Sequence, residues 1–142
     1  MALQNIERWR NYLTTDDYDY LFQYIENIKN GILNDKMIIL AGPSGCGKST
    51  LKNNIQSYVG NEFCCIWPVS SASQILSWED HIKPLGFLCG VDEIRRSKKS
   101  NMDIISLIKY KQSFIADTIH IERVYYKLLD HSRIIRMHHI FT

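Results

Sequence analysis

The sequence predicts an α/β fold with a mainly parallel central sheet and a helical lead-in. Three observations predict it. Residues 1–33 hold two stretches whose apolar positions recur at helical spacing. From residue 36 onward, short apolar runs alternate with helix-period segments, the texture of βαβ units. The run Met37-Ile38-Ile39-Leu40 passes straight into a glycine-rich turn and then an amphipathic stretch.

The elements follow in order. Leu3, Ile6, Trp9 and Leu13 give residues 2–13 a helical period. Thr14 or Thr15 can cap a second helix, Asp16 and Asp17 suit its first turn, and Tyr18, Leu21, Phe22, Ile25 and Ile28 form its apolar stripe up to Gly31. A strand is expected at 36–41 and a helix from Ser49 to Tyr58, with Leu51, Ile55 and Val59 facing inward. Residues 63–67 read as a buried strand closed by Pro68, 74–82 as a short helix broken by Pro84, and 86–91 as another apolar strand. Ser100 and Asp103 resemble a capping box for a helix carrying Met102, Ile105 and Ile108. From Ser113 the texture turns to β, and Arg133–Phe141 reads as a further strand. The division expected is a helical lead-in over 1–33 and a core over 34–142.

Chemistry concentrates in Gly42-Pro43-Ser44-Gly45-Cys46-Gly47-Lys48-Ser49-Thr50, which fits G-x-x-x-x-G-K-[ST] in its strand-then-helix setting. Glycines let the backbone turn successive N–H groups onto an anion. The helix opening near Lys48 aims its positive end at the same place. Residues 42–50 are therefore expected to bind ATP. Lys48 would reach the β- and γ-phosphates, and Ser49 would ligate Mg²⁺. A second feature is the apolar stretch Leu85–Val91, expected to be a central strand neighbouring the loop's own, which ends in Asp92-Glu93. Asp92 is expected beside the loop as a metal ligand and Glu93 as the general base on the attacking water. A surface turn is the plainer reading of that pair.

Composition narrows the class. The 142 residues are 45% hydrophobic and 23% charged, an ordinary globular balance. No apolar run approaches the roughly 20 residues that span a bilayer, so no membrane role is expected. Cys46, Cys64, Cys65 and Cys89 lack zinc-ligand spacing and read as core or loop residues of an intracellular, reducing compartment, cytoplasm or nucleus. His131, His138 and His139 read as polar strand positions. Charge is uneven: residues 1–94 hold 7 Lys/Arg against 11 Asp/Glu, and residues 95–142 hold 10 against 4. A basic half suits nucleic acid, and a solvated basic surface would look the same.

The loop by itself resembles several families. The stretch KMIILAGPSGCGKSTL is similar to guanylate kinases, but residues 60–80 lack the arginines of their acceptor site. Transporter ATPases are set aside because no LSGGQ-like segment is present and the acidic pair comes early. With its helical lead-in and Asp92-Glu93 at short range, the chain resembles, over about residues 15–142, superfamily 3 helicases of viruses and mobile elements, including primase-helicases of large DNA viruses. That resemblance implies a P-loop NTPase (AAA+-like) fold and a replication-type ATPase motor with ATP and Mg²⁺. It implies a ring of identical subunits and single-stranded nucleic acid as partner, DNA ahead of RNA. It also implies a nucleic-acid-contacting β-hairpin over 106–127, with Lys109, Lys111, Arg123 and Lys127 on phosphates and Tyr110, Tyr125 and Tyr126 on bases. Ile134–Thr142 would be the strand leading to the family's sensor asparagine, so the core is expected to extend past Thr142. One of Arg95 and Arg96, in the basic run with Lys98 and Lys99, would serve as the finger to a neighbouring subunit. Cys46 stands where many of these helicases have Asn, and no glycines follow Lys111. The alternatives are a guanylate-kinase-like nucleotide kinase and a non-hydrolysing nucleotide-binding assembly module.

Overall fold

A strand that is apolar at every position must be covered on both faces. The strand β1 (Met37–Ala41) is buried throughout, and its alternate residues enter two different cores. Ile38 and Leu40 join one, Met37 and Ile39 the other. The computed structural model describes residues 2–68, 83–89, 104–106, 108, 112–124 and 126–138. Among them are β2 (Cys64–Pro68), β3 (Leu85–Cys89), β4 (Ser113–Thr118) and β5 (Ser132–Arg136). Their order is β2-β3-β4-β1-β5, and every pairing is parallel. The α/β class, the parallel sheet and the helical lead-in are thus as expected. Pro68 closes β2, an edge strand of the sheet, the position where proline is tolerated.

One face of the sheet is covered by α1 (Ala2–Glu7), α2 (Thr15–Lys29) and α3 (Lys48–Val59). The helix expected over 2–13 is shorter. A 3₁₀ turn, Arg8–Asn11, follows α1, and the Tyr12 and Leu13 N–H groups both donate to the Trp9 carbonyl. Thr14 caps α2 by accepting from the Asp17 N–H at 3.1 Å. The buried positions of α2 are Tyr18, Leu21, Tyr24, Ile25 and Ile28, a single stripe. Leu51, Ile55 and Val59 are the buried side of α3 and stabilise the layer by about 1.5–3 kcal/mol each. On the other face lie Ile104, Ile105 and Ile108, all helical, and Leu128 of the short helix α4 (Tyr126–Leu129).

Two polar ties fix the lead-in to the sheet. Arg133 of β5 pairs with Asp17 at 2.9 Å and lies over the Tyr20 ring. The buried Tyr24 hydroxyl donates to the Phe114 carbonyl and accepts from the Phe114 N–H, both at 3.1 Å. Burial pushes its phenol pKa well up, so it stays a neutral donor. Removing the hydroxyl leaves two buried backbone groups of β4 short of a partner. Tyr24→Phe should therefore lower stability by about 2 kcal/mol, read as a shift of the urea midpoint with unchanged slope.

Two sequence expectations are corrected here. The β-texture after Ser113 is not a hairpin. Its described residues form β4, a strand paired in parallel with β1 and β3, followed by a 3₁₀ turn (Ile121–Arg123) and α4. Five of the six β4 residues are buried, which suits a core strand covered on both faces. Second, the strand beside β1 on the acidic-pair side is β4, not β3, which lies one position further out. The last described strand, β5, is the opposite edge and ends at Arg136. The helix expected at 74–82 lies outside the described residues. Among them, no helix is long and apolar enough to cross a membrane.

Candidate functional site

At the C-terminal end of β1 the chain is gripped from both sides. The Gly42 N–H donates to the Thr118 carbonyl of β4 at 3.2 Å, and the Met137 N–H beyond β5 donates to the Ala41 carbonyl at 2.7 Å. Gly42 therefore has no room for a side chain. An added Cβ would fall within contact distance of the Met137 carbonyl oxygen and lie 2.8 Å from the Cys46 Sγ. The loop then turns through Gly45 at φ 82° and Gly47 at φ 94°, left-handed conformations that cost an ordinary residue about 1–2 kcal/mol. Gly47 is the N-cap of α3 and no side chain caps the helix, so its first amides and positive dipole end are left for an anion.

Lys48 opens α3 and is only 7% exposed. Its ammonium donates to the carbonyls of Gly42 and Pro43, the latter at 2.8 Å, and approaches the Cys46 Sγ at 3.5 Å. Among the described residues these partners are all uncharged. A nearly buried cation held only by neutral groups favours an incoming anion, because its charge is already desolvated and not yet balanced. Ser44, Gly45, Gly47, Lys48, Ser49 and Thr50 line an open cavity of about 330 Å³, with Asp117 and Ile119 also on its wall. That size suits a small ligand. The donor set, hydroxyls and amides around one ammonium, fits a polyphosphate with a hard cation such as Mg²⁺.

Asp117 was not expected in the site. It is the penultimate residue of β4, pairs in register with Leu40 of β1, and holds Lys52 of α3 in an ion pair at 2.7 Å. The signal was present in Ser113-Phe114-Ile115-Ala116-Asp117-Thr118, an apolar run closed by polar residues, the same grammar as Leu85–Glu93. The hairpin reading hid it.

The other expected residues fall in two groups. Asp92, Glu93, Arg95, Arg96, Lys98, Lys99, Lys109, Tyr110, Lys111 and Tyr125 lie outside the described residues. The strand that leads toward Asp92 and Glu93, β3, is interior and ends at Cys89 on the loop's side of the sheet. Arg123, Tyr126 and Lys127 are all exposed. Burial pushes the Cys64 thiol up to about 11, with the Cys65 and Glu62 charges adding to it, so it is a core group and not a nucleophile. Among the described residues, no three His, Cys, Asp or Glu side chains gather as a metal cluster.

A second hollow of about 280 Å³ opens at the opposite end of the strands, lined by Ile28, Ile32, Leu33, Pro84 and Gln112 with Lys83 and Ser113. Ligands of open parallel sheets bind beyond the carboxyl ends of the strands, which selects the loop cavity.

No family model matches the chain, and no curated protein matches it. Among solved structures, 258 chains match, so the fold is widespread and does not by itself choose an activity. One is a single-substitution variant of RuvB from Thermotoga maritima, 22% identical, with a TM-score of 0.59. The match covers 89% of this chain and 45% of that one, so the chain spans about half the length of the structure it resembles. The likeness is one of fold: this chain has a P-loop NTPase fold.

Proposed function

We propose that this chain is the ATP-binding and ATP-hydrolysing part of a nucleic-acid motor of helicase type. The observation that carries the proposal is Lys48, nearly buried and, among the described residues, bonded only to uncharged groups, facing a cavity rimmed by Ser49, Thr50 and the uncapped start of α3. A triphosphate with Mg²⁺ would bring negative charge to this ammonium. Residues 42–50 would hold it, and Ser49 and Asp92 would hold the ion. The metal's contribution is to neutralise charge on the phosphate oxygens. Glu93 would take a proton from the water that attacks the γ-phosphorus. The bond to the bridging oxygen then breaks, leaving ADP and inorganic phosphate.

The motor part of the proposal draws on the basic second half. Arg123 and Lys127 are exposed with Tyr126 between them, a composition suited to backbone phosphates and a stacked base. Lys109 and Lys111 are the further cations that would contact single-stranded DNA. Arg95 or Arg96 would enter a neighbouring subunit's site, so the working form would be a homo-oligomeric ring.

The test is ATP hydrolysis by the wild-type chain with and without single-stranded DNA or RNA, beside Glu93→Gln. The expected result is stimulation by single-stranded DNA, with Glu93→Gln lowering the rate by about 100-fold while nucleotide binding persists. Absence of stimulation by either nucleic acid overturns the motor reading. Phosphate transfer to a nucleoside monophosphate would replace it with a kinase. Binding of MgATP with a basal rate untouched by Glu93→Gln would replace it with a nucleotide-dependent assembly module.

A further inference from the structure

The acid at the end of β4 needs an explanation, because a carboxylate lining a triphosphate cavity repels its ligand. Asp117 faces the same hollow as Lys48, Ser49 and Thr50. Its charge is balanced by Lys52, one helical turn beyond Lys48 on α3, at 2.7 Å. The two side chains are 28% and 19% exposed respectively, so solvent screens the pair only in part. Such a pair has two states available to a visiting polyanion. A metal-free triphosphate competes for Lys52 and leaves the Asp117 carboxylate facing it uncompensated. A metal-loaded triphosphate brings a cation toward that carboxylate, and the repulsion falls.

We propose that Asp117, held in place by Lys52, is a positioning residue that makes the phosphate cavity select the Mg²⁺-loaded triphosphate over the metal-free one. The proposal rests on the nucleotide-binding reading above. It adds a discrimination step that neither the loop nor Asp92 requires. The pair also ties the C-terminal part of β4 to the helix that begins at the loop, so Asp117 is held by the protein itself. A plain structural staple would have the same geometry but would not distinguish the two forms of the nucleotide.

The experiment titrates a fluorescent, non-hydrolysable ATP analogue into the full chain, once in MgCl₂ and once in EDTA, with thermal melts run in parallel. Wild type should bind the Mg²⁺ form more tightly. Asp117→Asn removes the charge at nearly constant shape and should tighten metal-free binding about five- to tenfold, the scale of one nearby, partly screened unit charge, leaving the Mg²⁺ form within about twofold. The preference narrows. Lys52→Met strands the carboxylate and should weaken metal-free binding about tenfold more than Mg²⁺-loaded binding, so the preference widens. If Asp117→Asn shifts both dissociation constants by the same factor, the pair is a staple and the proposal falls. Should Asp117→Asn fail to melt cooperatively, an unchanged preference in Lys52→Met overturns the proposal just as well. Failure of wild type to bind either form overturns the nucleotide reading itself, an outcome distinct from an unchanged preference.

Discussion

Lys48→Ala is expected to abolish measurable MgATP binding at concentrations that saturate the wild type, a loss of at least about 100-fold. The ammonium is nearly buried in a cavity with no other described cation lining it. Opposite unit charges about 4 Å apart in a partly solvated site attract by about 4 kcal/mol, and part of that remains after Lys48 leaves the Gly42 and Pro43 carbonyls. A net 2.7 kcal/mol or so is 100-fold in affinity. The fold should survive. The lost bonds are to loop carbonyls, and the melting temperature should fall by only a few degrees. Isothermal titration with MgATP measures the effect, and full affinity in Lys48→Ala would remove the central residue of the proposed site. Lys48→Arg should not rescue, because a planar guanidinium cannot take the place of a compact ammonium among these carbonyls.

Gly42→Ala is the second large effect, and its origin is steric. Gly42 is not among the residues at positive φ, so backbone preference does not demand glycine there. Space does: an added methyl runs into the Met137 carbonyl and meets the Cys46 Sγ at 2.8 Å. The obstacle is backbone on one side and a fully buried side chain on the other, so neither yields easily. A loss of about 2–3 kcal/mol is expected, which lowers the melting temperature by roughly 10 °C in a domain of this size. Loop geometry should suffer with it, and nucleotide affinity should drop even below the melting range. Gly45→Ala is the control. Its Cβ meets nothing within 4 Å, but φ is +82°, so only the backbone cost of about 1 kcal/mol applies. A Gly42→Ala variant as stable as Gly45→Ala would show that Met137 and Cys46 do not pack as described.

How much of this was legible in the sequence differs by kind of interaction. The Thr14 cap, the α2 stripe and the inward side of α3 were readable, because a helix writes its period into consecutive residues. The run Met37–Leu40 was readable as a buried strand because it is short, unbroken in its apolar character and closed by a glycine-rich turn. By contrast, Ser113–Thr118 has a strand's composition, but nothing local says whether its partner is the next segment or one far away. A hairpin and a core parallel strand differ in their partners, not in their own residues. The Tyr24 hydroxyl's bonds to Phe114, 90 residues on, were invisible for the same reason.

The sequence by itself determined the loop: which residues turn, which amides are left open, and which lysine lines the loop cavity. All of that follows from glycines, a helix start and a cation inside nine consecutive residues. Only the tertiary structure decided what stands opposite. Parallel strands need crossovers, so sheet neighbours are set by long-range packing and not by order along the chain. That packing placed β4, not β3, beside β1. With it came Thr118 against Gly42, and Asp117 against Lys52 across 65 residues.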